Sequence, residues 1–328
     1  MSEAADPAVQ VVVVAWNSGA HLQRCLNALA AQTFADFETI VWDNASTDGA
    51  VETARLPPRA RALRSPENLG FAAANNRAAA LGRSRWIATL NPDAFPEPDW
   101  LEQLLATARS HDAEAVASLQ LDDADPAILD GAGDSMSIFG IGWRGGYGAP
   151  RASAPAQEVE VFSPCAAAAL YRRDVWEALG GFDERFFAYF EDVDLGFRIR
   201  LRGGRTVFNP QAVVRHVGSA SSRTVSGFAE RHGMRNRLWT FARDMPGLLM
   251  PLALPLHLAA TAFVLVRSPD RVSRAARWAG LVEGLRGLGP FLRERRLWRA
   301  RNLGAVARAL AWSPAAVRAR RPVARKLR

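Results

Sequence analysis

At 328 residues, 49% apolar and 23% charged, the chain has an ordinary globular composition and room for one large domain with an appendage. Its two cysteines, Cys25 and Cys165, sit in apolar contexts, which rules out a disulfide framework and points to a reducing compartment. Net charge is +8, but 17 basic residues against three acids lie between Arg267 and Arg328, so a tail of +14 follows a body of −6.

Residues 1–8 lack the basic start and apolar run of a secretory signal, so the N-terminus is expected in the cytoplasm. Val9–Val14 is a β-branched run that predicts a buried parallel strand, broken at Trp16-Asn17-Ser18-Gly19. Leu22, Cys25, Leu26 and Leu29 follow at helical spacing. Phe37–Trp42 predicts a second strand ending at Asp43-Asn44, with a short helix through Arg55. A short strand at Leu63–Arg64, a loop at Asn68–Phe71, an Ala-rich helix over 72–82 and a strand at Trp86–Leu90 come next. This alternation predicts an open, mainly parallel α/β sheet, in which ligands bind at the carboxyl ends of the strands. Asn17, Asp43, Asn68 and Asp93 fall at those ends, as either binding groups or plain turn residues.

Residues 130–156, rich in Gly, Pro and Ala, read as a mobile loop with aromatic and basic contacts. Strands are predicted at Val159–Phe162 and Ala167–Tyr171, and a helix at Arg173–Leu179. From Gly180 to Arg202, Phe186, Phe187, Tyr189 and Phe190 run directly into Glu191, Asp192 and Asp194. An apolar wall can raise a carboxylate's pKa and hold it as a general base, yet acids are also favoured at a helix N-terminus for electrostatic reasons. A helix over 192–202 and a closing strand pair, Thr206–Phe208 with Ala212–His216, complete this part.

Leu248–Val266 is 19 residues without a full charge, interrupted by Pro251, Pro255 and His257. It reads as an interfacial or hairpin insertion, with a membrane span or a soluble core helix as alternatives. Trp278, Leu281, Leu285 and Leu288 recur at helical spacing among arginines, and Phe291, Leu292, Trp298 and Leu303 follow less regularly. Basic amphipathic helices of this kind read as elements of an anionic membrane surface. With no nucleic-acid-binding motif beside the charge, no nucleic acid partner is expected.

Several segments, in order, resemble the inverting glycosyltransferases of family 2, which have a nucleotide-binding GT-A fold. They are VVVVAWNSGAHLQRCLNALAAQ at 11–32, VWDNASTDG at 41–49, ENLGFAAANN at 67–76, LNPDAF at 90–95, the 180–205 block and HVGSAS at 216–221. The resemblance covers about 1–240, expected as the catalytic domain, with 241–328 as a helical, membrane-associating extension. The NPD triplet and FFAYFEDVDL are most similar to rhamnosyltransferase-type enzymes of cell-surface polysaccharide synthesis, and also to galactofuranosyl- and other hexosyltransferases.

The resemblance implies a nucleotide-sugar donor, dTDP- or UDP-linked, and a divalent cation, Mg2+ or Mn2+, as Lewis acid for the leaving diphosphate. It places the metal on Asp93 and His216. The donor pocket falls on Ala15, Trp16, Asn17, Asp43, Asn68, Gly70, Phe71, Asn75 and Asn91. Trp16 replaces the family's usual Tyr, and Asn91 stands where an acid is common, which removes one charge from the cation's surroundings. Asp192 corresponds to the catalytic base, Glu191 orients acceptor or base, and Asp194 is expected to pair with Arg198 four residues on. The implied acceptor is a lipid-linked or growing polysaccharide glycan, reached from the inner face of the plasma membrane. An inactive nucleotide-sugar-binding scaffold subunit is the reading from another class.

Overall fold

The computed structural model describes residues 6–218, 226–297 and 299–327. Part of the HVGSAS segment and Trp298 lie outside the described residues. The first half alternates as expected: β1 (Val9–Ala15), α1 (Ala20–Ala30), β2 (Phe37–Asp43), α2 (Ala50–Thr53), β3 (Ala60–Arg64), α3 (Gly70–Ala79) and β4 (Trp86–Leu90). Then come β5 (Ala94–Pro96), α4 (Trp100–Ser110), β6 (Ala115–Asp122), β7 (Leu129–Ala132), β8 (Asp134–Met136), β9 (Gly142–Arg144), β10 (Val159–Val161) and β11 (Ala168–Arg172). The chain continues through α5 (Arg173–Leu179), α6 (Glu191–Leu201), β12 (Thr206–His216) and α7 (Phe228–Asp244). It closes with α8 (Met250–Val266), α9 (Arg271–Arg286), α10 (Leu288–Glu294), α11 (Leu303–Ala309) and α12 (Pro314–Arg318).

The central sheet has the order β10-β12-β6-β11-β4-β1-β2-β3, with β5 and β7 added on β12 and β6. β3, β2, β1 and β4 are mutually parallel, while β11 runs antiparallel between β4 and β6. Strand alternation sorts the apolar run of β1 between two layers. Val11 and Val13 join Leu22, Leu26 and Leu29 of α1 and Trp100, Leu101 and Leu104 of α4. Val12 and Val14 face the other way, onto Ala72, Ala74 and Ala78 of α3 and Leu195 and Ile199 of α6. Each such valine, fully buried, contributes about 1.5–3 kcal/mol. Helices on both faces of one sheet leave the strand ends as the open rim for a ligand.

Two sequence expectations are corrected, and one unassigned stretch is filled. The first part of 130–156 is built into strands rather than a loop. β7 pairs with β6, β8 pairs with β9, and Asp130, Asp134, Ser135 and Met136 are buried. The glycines there serve close packing, since a Cβ on Gly131 would lie 2.6 Å from the Arg144 side chain. The expected strand pair at 206–216 is one strand, β12, bulged between Asn209 and Val213 and paired with β6, β10 and β5. Finally, α4 and β6 fill a stretch to which the sequence patterning assigned no element. Ser118 and Gln120 break the apolar run of β6, yet both find partners inside: Trp100 Nε1 donates to Ser118 Oγ, and Gln120 Nε2 to Cys165 O, while Gln120 Oε1 has no partner among the described residues.

α7 runs across position 240, and the residues beyond it pack on the sheet domain. Phe241, Met245, Ala253, Val306 and Leu310 share a core with Met136, Phe162, Val193 and Phe197. Farther on, Glu160 and Arg325 exchange backbone hydrogen bonds of 2.8 and 2.9 Å. Gly247–Val266 is long and apolar enough to cross a membrane. Its stripe of Ala253, His257, Thr261 and Leu265 faces the protein, while Leu248, Leu252, Leu254, Leu256, Leu258 and Phe263 are exposed. α9 likewise turns Ser273, Gly280 and Gly284 inward and leaves Val272, Trp278, Val282 and Leu285 exposed.

Candidate active site

Three clusters form at the sheet's rim. The first joins the ends of β1, β2 and β3. Asp43, buried at the end of β2, accepts from Ser46 N–H at 2.8 Å and lies 3.5 Å from the Arg64 guanidinium. Asn17 has φ 48° and accepts from Thr47 N–H through Oδ1 at 2.8 Å, and its own N–H donates to Ser46 Oγ at 3.1 Å. Ala15 O accepts from Asn44 N–H, and Trp16 follows at the strand's end. The Asn44 side chain then ties this edge to the next loop. Its Nδ2 donates to Asn68 Oδ1 at 2.8 Å, its Oδ1 accepts from Leu69 N–H at 3.0 Å, and Asn68 Oδ1 also accepts from Gly70 N–H at 2.9 Å. Phe71 stacks on Phe182, and Asn75 is buried with its Nδ2 donating to Phe71 O one turn back. Sequence reading missed Asn44, Ser46 and Arg64. The first two stand within the quoted VWDNASTDG segment, whereas Arg64 carries no signal.

The second cluster centres on His216, at the end of β12. Its Nδ1 is 2.7 Å from Asp130 Oδ2 and its Nε2 is 3.3 Å from Asp93 Oδ1, with the Asn91 amide 3.4 Å from Nε2. Arg144 approaches Asp130 at 2.5 Å. Burial presses the imidazolium down, but hydrogen bonds to Asp130 and Asp93 outweigh it and hold His216 up at about 9. The Asp130 carboxyl is held below its ordinary range because Arg144 and His216 outweigh its burial. These residues would hold a divalent cation that displaces the Nε2 proton shared with Asp93: a carboxylate oxygen and an imidazole nitrogen converge, and the other ring nitrogen is fixed by a carboxylate behind it. Asp130 and Arg144 went unseen because both fall in the stretch read as a loop.

The third cluster surrounds Asp192, in the first turn of α6. Its Oδ2 accepts from Ala166 N–H at 2.9 Å and its Oδ1 from Val193 N–H at 2.8 Å. Burial raises Asp192, and these amides and Arg144 restrain the rise. Burial, then the charge of Asp192, pushes both Glu191 and Asp134 well above the ordinary carboxylate range. Glu191 Oε2 is buried without a hydrogen-bond partner among the described residues. Asp134, Cys165 and Asp192 each place one ligand atom within 4.8 Å of the others. Burial keeps Cys165 a neutral thiol, and Arg144 supplies positive charge to the same group. Asp194 turns away, onto Arg198 at 2.7 Å as expected and onto Arg243.

The second and third clusters are tied together. Asn91 N–H donates to Ala167 O at 2.8 Å, and the adjacent Ala166 N–H holds Asp192. Gly70, with φ 80°, links the first cluster to the aromatic segment, since a Cβ there would lie 2.5 Å from the Phe187 ring.

Comparison with known proteins agrees with this architecture. Residues 10–180 match Glycosyl transferase family 2. The N-acetylglucosaminyl-diphospho-decaprenol L-rhamnosyltransferase of Mycobacterium tuberculosis is 31% identical over 303 residues, covering 84% of this chain and 97% of that protein. The O-antigen biosynthesis protein RfbC of Myxococcus xanthus is 30% identical over 228 residues, covering 66% of this chain but 18% of that protein. Among solved structures, S. aureus TarS 1-349 in complex with UDP-GlcNAc superposes with a TM-score of 0.57 at 16% identity, over 95% of this chain and 92% of that one. The mannosyltransferase PcManGT from Pyrobaculum calidifontis, in complex with GDP-Man and Mn2+, gives a TM-score of 0.53 at 18% identity, over 93% and 87%. The chain belongs to glycosyltransferase family 2 and is a glycosyltransferase with the GT-A fold.

Proposed function

We propose that this glycosyltransferase moves rhamnose from dTDP-rhamnose, with inversion and with a divalent cation such as Mg2+ or Mn2+, onto a lipid-linked N-acetylglucosaminyl acceptor at the inner face of the plasma membrane. The observation that carries this reading is the backbone tie from Asn91 through Ala167 and Ala166 to Asp192, which keeps Asp93 and Asp192 at one end of the sheet. Direct displacement needs that arrangement: diphosphate charge on one side of the sugar carbon and a base on the other.

Asp43, Asn17 and Asn68 bind the nucleoside end of the donor. Asp93 and His216 hold the cation, which when bound neutralises charge on the departing diphosphate. Asp192 accepts the proton from the acceptor hydroxyl as its oxygen bonds to the sugar carbon and the bond to the diphosphate breaks. Glu191, its carboxyl pushed up by burial beside the charge of Asp192, orients the acceptor. The 31% identity to a rhamnosyltransferase named for a lipid-linked acceptor supports the donor and acceptor classes. The exposed apolar residues of α8 and α9 and the arginine-rich tail support docking on an anionic bilayer.

The test is transfer to a short-chain polyprenyl-diphosphate N-acetylglucosamine from dTDP-rhamnose, UDP-galactofuranose and UDP-N-acetylglucosamine, with and without Mn2+. Cation-dependent transfer from dTDP-rhamnose is the expected result. Transfer from a UDP-sugar alone would replace the donor, and no transfer with any of the three would overturn the reading.

A further inference from the structure

The segment leading into the candidate base is strained. Phe187, Tyr189 and Phe190 have φ of 64°, 68° and 74°, in a region that non-glycine residues enter at about 1–3 kcal/mol each. The turn directs the carbonyls of Phe186, Ala188 and Tyr189 toward one point, where their dipoles repel. One side chain answers all three. Asn236 Nδ2, on α7, lies 3.0 Å from Phe186 O, 2.9 Å from Ala188 O and 2.7 Å from Tyr189 O. Its Oδ1 accepts from Arg235 Nε at 2.9 Å, which orients the amide with its N–H groups toward the turn. Arg235 also donates to Phe186 O at 2.7 Å, which accepts from Ala188 N–H as well. Asn236 is fully buried.

The strained turn has two ends, and both matter to the reaction. Phe187 seals against Gly70, and its carbonyl accepts from Ala72 N–H at 3.1 Å, on the donor side. Phe190 immediately precedes the first turn of α6, which carries Glu191 and Asp192. We infer that Asn236 is a positioning residue for transfer: by gathering the three carbonyls of the aromatic turn it fixes where Asp192 stands relative to the bound donor. The inference rests on the reading of Asp192 as the base.

Displacing a base by about 1 Å can cost on the order of a hundredfold in rate while the nucleotide pocket at Asp43 stays whole. Asn236→Ala and the isosteric Asn236→Asp are compared with wild type and with Asp192→Asn. Each is assayed with whichever of dTDP-rhamnose, UDP-galactofuranose or UDP-N-acetylglucosamine the wild type uses. The readouts are kcat, donor Kd by calorimetry, and hydrogen exchange of the 186–193 amides. Both Asn236 variants are expected to lose roughly tenfold to a hundredfold in kcat, to keep donor Kd within about threefold, and to exchange faster across 186–193. Folding variants with wild-type kcat overturn the inference, as does a loss confined to donor Kd. If Asn236→Ala does not fold, Asn236→Asp decides by the same readouts. If instead Asp192→Asn turns over normally, the assignment of the base has failed and Asn236 has no such role.

Discussion

His216 Nδ1 lies 2.7 Å from Asp130 Oδ2, a contact between residues 86 apart in the chain. Because Asp130 occupies one ring nitrogen, the other faces Asp93. Asp130→Asn should therefore weaken Mn2+ binding by about 10–100-fold, the usual cost of losing such a partner. Titration with Mn2+ followed by electron paramagnetic resonance measures this directly. Unchanged affinity would show that Asp130 does not tune a cation ligand.

Asp192→Asn is expected to lower kcat by about 10²–10⁴, the range contributed by a general base, with donor binding retained. In the wild type, the base must be unprotonated to act. Its pKa is raised by burial above the ordinary value of about 3.9. Activity should consequently fall as pH drops through a midpoint above that value. A profile flat down to about pH 4 would contradict the assignment.

Asp134 offers a stability test. Its folded pKa stands above its unfolded one, so the native state binds the proton more tightly. The resulting penalty is absent below the unfolded value of about 3.9 and grows as pH rises toward the folded pKa. Asp134→Asn removes it. The variant's Tm advantage over wild type should be larger at pH 8 than at pH 5, and an equal difference at both would show that Asp134 is not raised.

Arg243 is buried among Asp183, Asp194, Asp244 and Glu294. Arg243→Met leaves these acids without their shared cation. Breaking a buried pair from one side costs about 3–5 kcal/mol, to be read from the urea midpoint at constant slope. A loss below about 1 kcal/mol would mean that the surrounding arginines, Arg185 and Arg198, suffice.

The exposed apolar face of α8 can be tested apart from chemistry. Leu248, in the turn just before it, and Leu252 and Phe263 on it are 82%, 52% and 62% exposed. Changing all three to Ser should reduce flotation with anionic vesicles by roughly tenfold or more, from about 1 kcal/mol or more per side chain, while transfer to a water-soluble acceptor is unaffected. Equal flotation would show that the apolar face does not drive docking.

The candidate site was legible in the sequence where chemistry and local structure coincide. Asn17, Asp43, Asn68 and Asp93 end strands or begin loops, so a polar residue after an apolar run marks both the turn and the rim. Asp130, Asp134 and Arg144 were illegible for the opposite reason. They are charges inside short strands interrupted by glycine, where neither alternation nor an apolar run announces burial, and only their mutual neutralisation makes burial tolerable. Asn236 was hidden differently: its partners are backbone carbonyls 47–50 residues away, and a carbonyl leaves no trace in a sequence.

The return of the chain to Glu160 bears on how the molecule meets its surroundings. A domain on a loose tether samples every orientation its linker permits. This one is fastened where Arg325 meets Glu160, where Val323 N–H reaches Ser135 Oγ and where Ala311 N–H reaches Met136 O. The face bearing α8 thus keeps a constant bearing to Asp192, and any flat surface that captures that face also dictates the height and tilt at which the rim of the sheet approaches it.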